Sequence, residues 1–122
     1  MKWTNARELL INNIVQGLHL DPKAHFKIVN QVPLYECGNY AKTKGFRIQV
    51  GTGSFINIPL NMLENLFEGA INNGEIYNNE IFAASYPKQL KNKPCHVHAA
   101  GKLFSNAGVM KMINSKNYQI VN

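Results

Sequence analysis

Apolar positions along this chain change their period twice, from helical to alternating and back to helical. Ala6, Leu9, Leu10, Ile14 and Leu18 fall on one helical face, and Asn5 followed by Glu8 has the spacing of a capping box. A first helix is therefore predicted over 5–18, ended by Asp21-Pro22, since the residue before a proline is pushed out of helical geometry. Extended character follows at 26–29, 33–37, 45–50 and 54–58, with a polar loop over 39–44. Phe46, Ile48 and Val50 alternate with Arg47 and Gln49, the period of a half-buried strand. Gly51-Thr52-Gly53 between two such runs predicts a hairpin turn. It is no phosphate loop, because the Gly-Lys-Ser/Thr ending is missing.

At Pro59 the helical period returns. Leu63, Leu66, Phe67, Ala70 and Ile71 form one face, and Asn73-Gly74 stops the helix. Glu75-Ile76-Tyr77 has room for a short strand, and Asn79 is placed to cap a further helix carrying Ile81, Phe82 and Ala84, which Pro87 breaks or restarts. Residues 94–108 predict the helix around which the chain is organised. Pro94 suits its first turn and Gly108 the left-handed residue just past its end. Val97, Ala100, Gly101, Phe104 and Ala107 make its apolar stripe, while Cys95, His98, Ala99, Lys102, Ser105 and Asn106 make the other face. Two short strands follow, at 109–113 and 118–121, joined by the polar tip 114–117. The predicted class is α+β: an N-terminal helix and small antiparallel sheet over 1–58, then a unit of three helices and a hairpin over 59–122.

Charge sharpens this division. The first 80 residues balance seven bases against seven acids, whereas after Glu80 there is no acid and Lys88, Lys91, Lys93, Lys102, Lys111 and Lys116 carry the whole net charge of +6. One-sided basic charge attracts a polyanion, and an ordinary soluble surface would mix both signs. A chain 45% hydrophobic can bury a true core, and it has no apolar run of the ~18 residues that a membrane span needs. The polar residues within 1–13 do not fit a secretory signal, and two cysteines make no disulfide framework, so a cytoplasmic protein is expected.

The order from Pro59, helix, short strand, helix, helix, strand, polar tip, strand, resembles the winged helix-turn-helix, a DNA-binding family. The likeness covers about half the chain and rests on element order and charge, without a signature motif. It implies that the helix over 94–108 enters the major groove, with His98, Lys102, Ser105 and Asn106 facing bases. It further implies that Lys111, Ser115 and Lys116 belong to a hairpin wing, and that these with Lys88, Lys91 and Lys93 approach phosphates. The expected function is non-catalytic binding of double-stranded DNA, in transcription regulation or a mobile element. Residues 1–58 would brace the reader or pair two copies as a dimer. Pro87 and the short wing depart from the pattern.

Other chemistries fit less well. His96-Val97-His98 with Tyr118 resembles the metal-dependent His-hydrophobic-His nucleases, but that site needs both histidines on one strand face. A helix turns them about 200° apart. No third alternating histidine exists for a histidine-triad hydrolase, since Ala100 stands there. Cys95 and His98, with Cys37 and His25 as remote partners, make no recognisable four-ligand zinc spacing, so neither metal nor cofactor is expected. Glu64 and Glu68 read as a hydrated helix face rather than an acid–base pair. Trp3, Tyr35, Tyr40 and Tyr86 are too scattered for a base-stacking platform. A protein-interaction module using the same helix is the alternative, although its predicted open face lacks the apolar anchors such a surface presents.

Overall fold

The computed structural model describes residues 1–21, 26–29, 35–36 (backbone only) and 44–122. Its class is α+β. The first helix, α1, spans Trp3–Asn13, shorter than the period predicts. Asn5 is not its cap: the cap position is Lys2, whose side chain makes no capping bond, and Asn5 already donates its N–H to the Lys2 carbonyl. The helix ends early because the next residues find better partners elsewhere. Gly17, with φ of 88°, turns the chain, its N–H bonds the Ile28 carbonyl, and Ile28 N–H bonds back to Leu18. Leu18 thus leads into a sheet rather than continuing the helix, while Ile14 stays buried.

That sheet contains β1 (His19–Asp21), β2 (Phe26–Ile28), β3 (Tyr35–Glu36), β4 (Lys44–Gly51) and β5 (Ser54–Pro59). All its pairings are antiparallel, β1 to β2, β2 and β3 to β4, and β4 to β5. Strand β1 was not predicted; it lies just past the predicted end of the first helix, at the Asp21-Pro22 stop. Most of the predicted 39–44 loop and of the 33–37 strand lies outside the described residues. The β4–β5 hairpin turns at 52–53 as the Gly-Thr-Gly spacing predicts, pairing Phe46 with Ile58 and Ile48 with Ile56, all four buried. On its other face Arg47 donates to the Asn57 side chain at 3.0 Å and lies over the Phe55 ring.

Helix α2 (Leu60–Ile71) buries Met62, Leu63, Leu66, Phe67 and Ala70 and leaves Glu64 and Glu68 in solvent. Strand β6 (Ile76–Tyr77) follows. The cap of the next helix is Asn78, one residue before the expected Asn79; its Oδ1 accepts from the N–H groups of Glu80 and Ile81 at 3.1 and 3.2 Å. Pro87 divides the predicted second helix into α3 (Asn79–Ser85) and α4 (Pro87–Asn92), with Tyr86 outside helical geometry between them, since a residue before proline is pushed out of it. Helix α5 spans Cys95–Ala107 and ends at Gly108, whose φ of 85° is the left-handed geometry glycine adopts cheaply. Strands β7 (Met110–Met112) and β8 (Tyr118–Ile120) close the chain, and β8 lies between β6 and β7 in a second antiparallel sheet.

One hydrophobic core runs through both halves. Ala6, Leu10 and Ile14 from the N-terminal helix share it with Leu66 and Phe67 of α2 and Leu103 and Phe104 of α5. Helix α5 is consequently more deeply embedded than its single stripe predicts. Ala99, expected on the open face, is wholly buried, as are Ala100 and Leu103, because α1 and β1 pack on a second side of the helix. Among the described residues no helix is long and apolar enough to cross a membrane.

Candidate nucleic-acid interface

Two tyrosines fix α5 against the small C-terminal sheet. Tyr77 of β6 donates its hydroxyl to the Val97 carbonyl at 2.8 Å, and its ring packs near Phe104 and Tyr118. Tyr118 of β8 lies against Gly101, where a methyl group would overlap its ring. A glycine in mid-helix costs stability, but here it lets the hairpin approach the helix axis. Burial pushes both phenols up, and Asp21 raises Tyr118 further, so neither is disposed to ionise.

The hairpin tip is held by asparagines. Asn114 Oδ1 accepts from the N–H groups of Lys116 and Asn117, both at 2.9 Å, and from the Asn117 side chain at 3.0 Å. Asn78, the α3 cap, donates its side-chain amide to Asn117 Oδ1 at 3.1 Å. The tip is thereby tied to α3 and presents Ser115 and Lys116 to solvent beside α5.

His98 stands exposed on α5 where two clefts meet. One, of about 450 Å³, lies between it, Asn78, Asn79, Glu80, Lys116 and Asn117. The other, of about 320 Å³, runs between it, Asp21, Lys102, Ser115, Met112 and the buried Phe26 and Tyr118. Four of the sequence-selected residues, His98, Lys102, Ser115 and Lys116, therefore line one continuous region between helix and hairpin. Two acids, Glu80 and Asp21, stand on its borders.

The remaining selected residues are placed differently. Lys102, expected to be exposed, is largely covered and pairs with Asp21 of β1 at 3.5 Å. Asn106 donates to the Leu20 carbonyl of β1 at 3.1 Å and to the Lys102 carbonyl at 2.8 Å. Ser105 is half-buried. Lys111 on β7 and Lys88 and Lys91 on α4 are exposed, and Lys93, also exposed, reaches Ser54 Oγ at 3.3 Å on the first hairpin. Asp21 and Leu20 went unmarked in the sequence, since nothing local links them to a helix over 80 residues away.

The two histidines diverge as the helical period requires. His96 is buried near Phe82, and its Nδ1–H donates to the Lys93 carbonyl at 2.9 Å. Burial pushes its pKa down and the nearby Lys93 ammonium adds to this, against an opposing pull from backbone groups of Lys93 and Asn57. His96 and His98 thus share no face, contrary to what the His-hydrophobic-His nuclease needs. Among the described residues no three His, Cys, Asp or Glu side chains gather; Cys95 is half-buried rather than solvent-facing, and His25 and Cys37 lie outside that set. Of the scattered aromatics, Trp3 packs on Phe67 and Tyr86 on Phe82, while Tyr40 and the Tyr35 side chain also lie outside it. No family model, curated protein or solved structure matches this chain.

Proposed function

We propose that residues 59–122 form a winged-helix-type unit that binds double-stranded DNA without catalysis. The observation carrying this reading is the convergence of His98 on α5 with Ser115 and Lys116 of the hairpin tip. They lie within a half-chain that has no acid after Glu80. Element order supports it: α2, β6, the α3–α4 pair, α5, then β7 and β8 around a polar tip. In this reading α5 approaches the major groove with its N-terminal half leading, His98 foremost, and Ser105 further back. The hairpin and the lysines of α4 and β7 lie along the phosphates, giving affinity while base contacts give sequence preference. The N-terminal half braces α5 through α1 and β1; pairing of two copies on a two-fold site would use surfaces outside this contact. In this reading the protein is cytoplasmic and acts in transcription regulation or in a mobile element.

Exposed Met112 and Ile113 beside the tip favour, as a second reading, a protein-interaction module at the same place. Two variants separate the readings. Lys116→Ala should weaken random and selected duplexes alike and flatten the salt dependence by about one phosphate contact. His98→Ala should leave that slope intact and cost about 1–3 kcal/mol on the selected duplex alone. No duplex binding by wild type at low salt would favour the protein-interaction module.

A further inference from the structure

Lys102 and Asn106, which face bases in the winged-helix reading, are both occupied by consecutive residues of one strand. Asp21 takes the Lys102 ammonium at 3.5 Å and Leu20 takes the Asn106 amide at 3.1 Å. We infer that the end of β1 is an intramolecular latch on α5, in which the Asp21 carboxylate stands in for a nucleic-acid oxygen and holds Lys102 off the duplex. The inference rests on the DNA-binding reading and deepens it, since it divides the α5 face into an open part at His98 and a guarded part at Lys102 and Asn106.

Three features support a latch at the Asp21 carboxylate. The pair is partly exposed, with side-chain accessibilities of 18% for Lys102 and 25% for Asp21, so water and competing anions reach it. Once the carboxylate is removed, Lys102 lies near enough to the surface to meet a phosphate in its place. β1 is also an outer strand among the described residues, three residues long and paired with β2, with a register shift between His19 and Asp21. Finally, Asp21 borders the same cleft as His98 and Ser115, so a duplex seated there meets Asp21 and Lys102 together.

The test is a double-mutant cycle of Asp21→Asn and Lys102→Gln, read as affinity and salt slope for a random duplex. Asp21→Asn should tighten binding about two- to fivefold at fixed low salt, the scale of a partly exposed ion pair. It should also steepen the slope of log K against log salt by about 0.9, one further phosphate contact. In the Lys102→Gln background both gains should vanish. Lys102→Gln alone should leave the slope of the wild type unchanged, a result that needs no Asp21 variant to fold. An equal gain with and without Lys102 would mean that only a repulsive charge had been removed, and would overturn the latch. So would wild-type affinity in Asp21→Asn, or a flatter slope in Lys102→Gln alone; either leaves DNA binding itself standing. Failure of wild type and Asp21→Asn alike to bind any duplex would overturn the DNA-binding reading, and the latch with it.

Discussion

His96 and His98 differ by two positions and by nearly everything physical. One is enclosed between Phe82 and the turn before α5, donating to a carbonyl; the other faces water at the junction of two clefts. Their separation was legible in the sequence, because a 3.6-residue period cannot bring neighbours two apart to one face. The burial of His96 has a consequence for pH. Folded His96 binds a proton less readily than the unfolded imidazole, whose pKa is about 6.5. The unfolded chain therefore takes up a proton first, so stability is full above about pH 6.5 and falls as pH drops towards the depressed folded value. Thermal midpoints measured from about pH 7.5 down to about pH 5 should decline through this window, and His96→Gln should remove that part of the decline. A midpoint equally pH-dependent in the variant would show that other groups are responsible. The Asp21–Lys102 pair was not legible, since it joins residues 81 positions apart on elements whose packing no local pattern encodes.

Elements defined by strong local pattern were readable, and those decided by distant partners were not. The β4–β5 hairpin follows from alternation and its glycine turn, and α5 from its apolar period with Pro94 and Gly108 at its ends. The end of α1 escaped because residues 17 and 18 bond to Ile28, a competition invisible in helical periodicity. The depth of α5 escaped for a related reason: Ala99 is too small to declare which side it belongs on, and α1 decides. The contact between α5 and the hairpin yields a prediction at this scale. Alanine at Gly101 would gain about 1 kcal/mol of helix propensity. Against this, its methyl overlaps the Tyr118 ring, which is buried beside Tyr77. Overpacking should win, leaving Gly101→Ala destabilised by about 1–3 kcal/mol in denaturant unfolding. A neutral or stabilised variant would mean that the hairpin sits further from the helix.

At the scale of the molecule, the two halves recognised from period and charge share one core but divide the labour of charge. The balanced half supplies α1 and β1, which hold α5 from behind and beside it, and the basic half supplies the helix end and hairpin tip. The charge asymmetry was legible residue by residue; the grouping of His98, Ser115 and Lys116 needed the Tyr118–Gly101 contact that brings the hairpin onto the helix. The proposal of duplex binding makes a quantitative demand on this arrangement. If three to five of Lys88, Lys91, Lys93, Lys111 and Lys116 neutralise phosphates, log K against log salt should fall with a slope of roughly −3 to −4.5 per protomer. The most direct measurement is a salt titration of wild-type protein with a random duplex, followed by fluorescence anisotropy. A slope in that range is the predicted result; binding that ignores salt, or no duplex binding at low salt, would contradict it.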